Sequence, residues 1–448
     1  MKIVIIGGSD AGISAALRIR ELDESIEPLI VTSDNYPNFS ICGIPFFIGD
    51  EIKDWHSLAH RTREEIESQG IKLLLETTVT KISPELKTIS VKSMAGVESN
   101  IDYDKLIIGI GAISAKPPIE GINLPGVFFI RWIEESVAFK KYLEDKRPPT
   151  ALIIGSGYIG MELAEGLIHR GITVTIVEFL DTILPTFDKE LGSVIRKKLE
   201  EKGAAIFTGV TIQSIKKDGQ SLQVSGSAGF HQTTDLVIVA TGAVPNTGLA
   251  KSAGIAMNDK NAIQVNSKME TNLPDIYAAG DCIQTWHRIL QKFVYLPLGT
   301  ISHKQGRIAG ENAIGGKAEF KGTLGTQSLK MFDLVTARTG LNHKEAQMNG
   351  FDPVTTEFTT WDHKVYYPGA TKIIIRMTGD RNNGRLLGVQ MIGSRTAEIS
   401  KRLDIAAMAI HHSMTIKELN DLDLSYTPPL SSPWDPIQMA AQDWVKKI

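Results

Sequence analysis

The sequence predicts an α/β chain with two Rossmann-like units and a C-terminal α+β region, and three stretches carry that prediction. Lys2-Ile3-Val4-Ile5-Ile6 is a continuous apolar strand that runs into Gly7-Gly8-Ser9-Asp10-Ala11-Gly12 and then into the helical Ile13-Ser14-Ala15-Ala16-Leu17-Arg18. Ala151-Leu152-Ile153-Ile154 repeats the pattern, followed by Gly155-Ser156-Gly157-Tyr158-Ile159-Gly160 and the helix Met161-Glu162-Leu163-Ala164-Glu165-Gly166-Leu167. Residues 328–378 contain alternating apolar segments such as Lys372-Ile373-Ile374-Ile375-Arg376-Met377, and residues 402–411 place Leu403, Ala406, Ala407 and Ile410 at helical spacing.

Strand, glycine turn and helix in this order make a dinucleotide site. The turn lets the backbone approach a pyrophosphate, which then sits at the positive end of the helix. In the second turn all three glycines are present, and the next strand, Thr173-Val174-Thr175-Ile176-Val177, ends in Glu178, placed to accept hydrogen bonds from a ribose 2′-hydroxyl. Phe179, Leu180 and Asp181 follow, with no Arg or Lys to receive a 2′-phosphate, so NADH is expected in preference to NADPH. The first turn departs from the pattern at two points. Ser9 replaces the middle glycine, and Leu29-Ile30-Val31-Thr32-Ser33-Asp34 puts Thr32 where an acidic ribose partner is usual, leaving Asp34 as the substitute.

Composition bounds the remaining classes. A chain of 448 residues corresponds to roughly three domains. Its net charge of −3, with no long run of Lys or Arg, argues against a nucleic-acid or membrane partner. No apolar stretch approaches the ~18 residues of a membrane span. Two cysteines cannot build a disulfide framework, so a reducing compartment is expected. The N-terminus reads as a first strand and not as a signal peptide, and a cytoplasmic location follows as the expectation.

One of those cysteines stands in Asn38-Phe39-Ser40-Ile41-Cys42-Gly43-Ile44-Pro45-Phe46-Phe47. A dithiol centre needs a partner a few residues on, and position 47 is Phe. Gly43 and Pro45 suit a helix start, where the backbone dipole favours a thiolate. A buried structural cysteine is the plainer reading of the stretch alone. Further strands end in turns at Lys105-Leu106-Ile107-Ile108-Gly109-Ile110-Gly111-Ala112 and at Asp235-Leu236-Val237-Ile238-Val239-Ala240-Thr241-Gly242-Ala243-Val244-Pro245-Asn246, which read as chain crossings between the nucleotide units. Ile276-Tyr277-Ala278-Ala279-Gly280-Asp281 places a carboxylate at a strand end, suited to the hydroxyls of a ribityl chain.

In this order the motifs resemble the FAD-dependent pyridine nucleotide-disulfide oxidoreductase family over essentially the whole chain, most closely its single-cysteine branch of coenzyme A-disulfide reductases, NADH oxidases and NADH peroxidases. The carrying residues are 7–12, Cys42-Gly43-Ile44-Pro45, 155–160, Ala240-Thr241-Gly242, Gly280-Asp281, Leu296-Pro297-Leu298-Gly299, and Lys304-Gln305-Gly306-Arg307-Ile308-Ala309-Gly310. Tyr366-Tyr367-Pro368-Gly369, Tyr426-Thr427-Pro428-Pro429 and Trp434-Asp435-Pro436 complete the set. The resemblance implies an FAD-binding domain from residues 1–112 and 245–322, an NAD(P)H-binding domain from residues 113–244, and a C-terminal α+β dimerisation domain from residues 323–448. FAD would contact Gly7, Gly8, Ser9, Asp10, Ala11, Gly12, Thr32, Ser33, Asp34, Val79, Gly111, Ala112, Gly280, Asp281, Pro297, Leu298 and Gly299. NADH, with NADPH as the alternative, would contact Gly155, Gly157, Tyr158, Ile159, Gly160, Glu162, Glu178, Thr241 and Gly242. Glu162 is expected either at the nicotinamide or as a solvated helix residue.

The implied reaction passes electrons from NADH through flavin to Cys42, which cycles as a mixed disulfide with a small thiol and attacks an incoming disulfide or persulfide. A homodimer is implied, with Tyr366 or Tyr367 and Tyr426 reaching the partner's site to protonate the leaving thiolate. Aromatic packing at a dimer seam is their alternative. The oxygen and peroxide branch is expected to carry a histidine in the first glycine turn; here Asp10 stands there, a carboxylate that repels a thiolate. For coenzyme A the available cations are Arg18, Arg20 and the tract His60-Arg61-Thr62-Arg63. The rival readings are an NADH oxidase, or a flavin-based electron donor to a quinone, a protein or another thiophilic molecule. No metal site is expected: His411-His412 lacks partners at ligand spacing. Cys282 is expected to be packed near the flavin.

Overall fold

The computed structural model describes residues 1–448. Two five-stranded parallel sheets carry the two glycine turns. The first has the order Ile276–Ala278, Lys105–Ile108, Ile3–Ile6, Leu29–Val31, Lys72–Leu74. The second has the order Ala205–Phe207, Thr173–Val177, Thr150–Ile154, Leu236–Val239, Val127–Phe128. In each, the strand before the turn is central and buried along its length, which is why its sequence is an unbroken aliphatic run. The helices Asp10–Leu22 and Tyr158–His169 start inside the turns.

Two antiparallel three-stranded sheets accompany them: Thr77–Ser83, Thr88–Ser93 and Glu98–Asp102 in one, and Ile212–Asp218, Ser221–Gly226 and His231–Thr234 in the other. The segments read as chain crossings pair with each other, Ala112–Ser114 running antiparallel to Ala243–Pro245. The C-terminal region is a five-stranded antiparallel sheet, ordered Gln327–Met331, Leu334–Gly340, Leu386–Ser394, Lys372–Asp380, Pro353–Trp361. Helices Ile399–His411 and Pro436–Lys446 cover it, as the α+β reading requires.

The segment that carries Cys42 leaves the first sheet and packs elsewhere. Phe39, Ile44, Phe47, Ile48 and Leu58 share one apolar core with Leu163 and Leu167 of the second unit and with Leu329 and Met331 of the C-terminal sheet. The contact is close because both sides are glycine: a Cβ on Gly49 would lie 2.6 Å from the Cα of Gly166. Cys42 is thereby held where all three parts of the chain meet.

Candidate functional site

Each glycine turn opens onto a cleft. The first, of about 330 Å³, is lined by Gly7, Gly8, Ser9, Asp10, Ala11, Thr32, Ser33, Asp34, Val79, Gly111, Gly280 and Asp281 among others. Gly12 stands behind this wall, where a Cβ would lie 1.9 Å from the carbonyl oxygen of Gly7, itself at φ +109°. Ala112 is buried and donates no side chain to the cleft; its carbonyl accepts from Arg131 Nε at 2.7 Å. The second cleft, of about 520 Å³, is lined by Gly155, Gly157, Tyr158, Ile159, Glu178, Thr241, Gly242 and Pro297. Gly160 packs behind it against the carbonyl of Gly155. Leu298 caps helix Gly299–Ala313, and Gly299 lies beside Asp10.

Arg131 and Asp281 line both clefts, joined by an ion pair of 3.0 Å. Nothing in the sequence singles out Arg131, because it stands alone in Phe128-Phe129-Ile130-Arg131-Trp132 and becomes informative only when found buried opposite Asp281. The clefts fit elongated diphosphates: each has backbone N–H groups at a helix start on one wall and apolar side chains on another.

The two acidic ribose candidates differ. Thr32 is buried against Gly8, and Asp34 reaches the first cleft with its carboxyl pushed up to about 6 by burial and by Glu134 and Glu135. Glu178 is buried and turned onto its own unit. One oxygen accepts from Ser156 N at 2.8 Å and Ser156 Oγ at 2.6 Å, and the other accepts from Leu180 N at 3.0 Å. It holds the second turn in shape as well as facing the cleft.

Cys42 is exposed, in the short turn Ile41–Gly43 that precedes helix Ile44–Ile48. The expected lowering of its proton affinity by a helix start is not found. The helix has only five residues, and the thiol is pushed up by burial among its neighbours and then by Glu162, Asp10 and Asp281, with Arg131 opposing. The repulsion expected from Asp10 is thus present. Asp10 faces His303, whose Nε2 lies 3.6 Å from Asp10 Oδ1 and whose Nδ1 is 2.8 Å from Ser14 Oγ. An imidazole does stand beside the first turn, brought by a helix that begins nearly three hundred residues later in the chain. Cys282 is fully buried and unreactive, its thiol pushed up to about 12 by burial.

Glu162 is not a solvated helix residue. It is half-buried on helix Tyr158–His169, and burial followed by Glu165 pushes its carboxyl up to about 7. Arg18 and Arg20 are not free cations: Arg18 pairs with Glu311 at 2.6 Å and with Glu21 at 2.9 Å, and Arg20 donates to the carbonyls of Gln69 and Ile26. In the tract after them, Thr62 caps a helix and Arg63 pairs with Glu67, leaving His60 and Arg61 exposed without an ion-pair partner. Glu51, Glu165 and His169 gather at ligand distances, but the ammonium of Lys330 sits among them, 2.6 Å from Glu165 and 3.0 Å from Glu51. Tyr366, Tyr367 and Tyr426 are exposed and line neither cleft of their own chain. Partial desolvation and the neighbouring Tyr426 push the Tyr366 phenol up.

Two dinucleotide clefts that share the Arg131–Asp281 pair, with one exposed cysteine next in sequence to Ile41 on the wall of the first, define a pyridine-nucleotide flavoprotein oxidoreductase. The chain belongs to the pyridine nucleotide-disulphide oxidoreductase family, which residues 1–305 match, with that family's dimerisation domain matched by residues 326–436. It is 36% identical to an NAD(P)H sulfur oxidoreductase (CoA-dependent) of Pyrococcus furiosus, over 98% of each chain. It is 33% identical to an NADH oxidase of Methanocaldococcus jannaschii, over 100% of this chain and 99% of the relative. Among solved structures, an NAD-dependent persulfide reductase from A. fulgidus superposes with a TM-score of 0.96 at 34% identity, covering all of this chain and 83% of the other. The protein is an NAD(P)H-dependent flavoprotein reductase that uses FAD.

Proposed function

We propose that this reductase passes electrons from NADH to a small disulfide or persulfide through Cys42 as a mixed disulfide, with coenzyme A-containing substrates as the leading class. The observation that carries the reading is Cys42 itself: one exposed thiol where the two nucleotide units meet, with the only other cysteine sealed in the core. Flavin bound in the first cleft supplies two-electron transfer between nicotinamide and sulfur. Residues 7–12 and Asp34 hold the dinucleotide backbone and ribose, while the Arg131–Asp281 pair fixes the wall shared by the two clefts. Exposed Phe179 and the absence of a cation beside Glu178 favour NADH over NADPH. Arg61, with His60 next to it in sequence, is the cation left to meet substrate phosphates.

Tyr366 or Tyr367, with Tyr426, completes the site from the second subunit of a homodimer, a role that suits their exposure on the dimerisation domain beside exposed Leu430 and Trp434. A persistent free thiol at Cys42 suits a reducing, cytoplasmic location; no helix is long and apolar enough to cross a membrane. The relative named as an NADH oxidase supports a second acceptor, oxygen. Replacement of Cys42 by Ser separates the readings. NADH-driven disulfide turnover is expected to fall by about 10³-fold or more while NADH-driven dye reduction survives; disulfide turnover that persists in this variant contradicts the proposal.

A further inference from the structure

Pro185 stands on the wall of the second cleft with Ser156 and Tyr158, and the stretch that presents it is strained. Leu184 is 1% exposed and sits at φ +48°, a left-handed conformation that a leucine side chain disfavours. Its N–H donates to the carbonyl of Ser156 in the second glycine turn at 3.1 Å, and its own carbonyl accepts from Phe187 N at 2.8 Å, closing the turn Leu184–Phe187. The hydroxyls of Tyr158 and Thr186 are both buried with no hydrogen-bond partner. Contacts within the nucleotide unit therefore do not account for where this turn stands.

The C-terminal sheet supplies what is missing. On strand Leu334–Gly340, buried Arg338 donates from Nη1 to the carbonyl of Thr186, while its Nη2 bonds the carbonyl of Gly340 at 2.8 Å and Glu345 at 2.5 Å. On strand Leu386–Ser394, buried Gln390 accepts from Asp188 N at 2.8 Å through Oε1. On strand Lys372–Asp380, Arg376 Nε donates to Asp188 Oδ2 at 2.8 Å. These three strands are neighbours, and the register sets Arg338 opposite Gln390 and Gln390 opposite Arg376. The three side chains thus form one row on one face of the sheet. Such a polar row among buried strands is costly unless bonded, and every member of it reaches the stretch 186–188.

We propose that Arg338 and Gln390 are positioning residues for the nicotinamide cofactor: the C-terminal sheet holds the turn Leu184–Phe187 against Ser156 and so fixes the wall on which NADH rests. The inference rests on the reading of the second cleft as the NADH cleft. Arg338 acts through Thr186 and Gln390 through Asp188, and neither side chain lines the cleft itself. Arg376 strengthens the hold on Asp188 but also pairs with Glu190 and Glu357, so its replacement is a less selective probe. With the row intact the wall is preformed, and the cofactor binds without first ordering it. With the row broken the strain at Leu184 is free to relax, and part of the binding free energy goes into restoring the turn. The signature is weaker cofactor binding with FAD retained and turnover at saturating NADH unchanged.

The test is calorimetric titration of NAD⁺ into the FAD-loaded protein, paired with amide hydrogen exchange over residues 155–160 and 184–188. Arg338→Met and Gln390→Met should raise the NAD⁺ dissociation constant by about ten-fold and about three-fold, and the KM for NADH alike, while kcat holds. The amides of Leu184, Phe187 and Asp188 should exchange faster in both variants. Arg338→Lys, which keeps a donor for Thr186, should recover part of the loss. Ile375→Val, a core change in the same sheet that leaves the row in place, controls for general loosening of the domain and should move neither reading. Where Arg338→Met does not fold because Glu345 is left unpaired, Gln390→Met, which uncovers no charge, carries the test alone. Unchanged affinity in the folded Met variants, or an equal loss in Ile375→Val, would overturn the proposal. NAD⁺ binding that leaves residues 155–160 unprotected in the parent protein would overturn the placement of the cofactor and the proposal with it, whereas protection there with unmoved affinities overturns the proposal alone.

Discussion

The two glycine turns are built alike and use their carboxylates in opposite ways. In the second, Glu178 is buried and spends both oxygens on Ser156 and Leu180, so the acid that ends the strand shapes the turn that precedes the helix. In the first, Thr32 fills that position against Gly8, and Asp34, two residues on, has only burial and the like charges of Glu134 and Glu135 for company. Asp10, in the turn itself, points its charge toward Cys42 and His303. One turn thus has its acid locked into structure; the other leaves Asp34 and Asp10 raised by burial, with Asp10 acting on the reactive thiol. The same motif can serve as a rigid nucleotide cradle or as part of an electrostatic site, depending on which donors the neighbouring elements supply.

The largest effect that would test this comparison comes from the second of the two glycines that the turns share. Gly12→Ala drives a methyl into the Gly7 carbonyl 1.9 Å away, and backbone cannot yield as a flexible side chain does. A loss of about 4 kcal/mol or more is expected, with protein that no longer retains FAD; thermal melting and the flavin absorbance of the purified variant check both. Gly157 has no atom within 4 Å of its Cβ position, as Ser9 at the matching place in the first turn would suggest, so the two shared glycines and not the middle one are the packing constraint.

Next in size is Glu178→Gln. It removes a charged acceptor from three donors and is expected to cost about 2–3 kcal/mol and to weaken NADH binding by loosening the Ser156 turn; denaturant titration and NADH-dependent flavin bleaching measure the two. The smallest effect is at Asp34. Its folded carboxyl keeps its proton up to about pH 6, whereas an unfolded one releases it near 3.8, so its contribution to stability is fully present below pH 3.8 and is lost as pH rises through 6. Asp34→Asn should remove that slope from the FAD-free protein, a gain of about 1–2 kcal/mol at pH 7 relative to the parent. A pH series of melting curves that stays parallel in parent and variant contradicts it.

The strands and turns were legible because their signals are local. An aliphatic run buried on both faces, a glycine forced by a carbonyl, and a helix start within six residues are all written in one short stretch. The site was legible only in part. Cys42 stands out in sequence, but its electrostatics do not, because Glu162, Asp10, Asp281 and Arg131 reach it from four separate stretches of the chain. Arg131 lies 150 residues from Asp281 and His303 lies 289 from Ser14, and no spacing rule connects such pairs. The helix-start argument for a low thiol proton affinity failed because it counted one local effect and missed burial first and the distant carboxylates second. Arg18 and Arg20 looked available for phosphates until Glu311 and the carbonyls of Gln69 and Ile26 were seen to hold them.

The most direct test of the central claim is an anaerobic NADH titration of the FAD-loaded protein, following the flavin spectrum and identifying any released thiol by mass spectrometry. Cys42 acting as a single redox thiol predicts more than one hydride equivalent consumed per flavin, together with release of a small thiol that is absent in Cys42→Ser. Bleaching complete at one equivalent, with nothing released and an identical titration in Cys42→Ser, would contradict it.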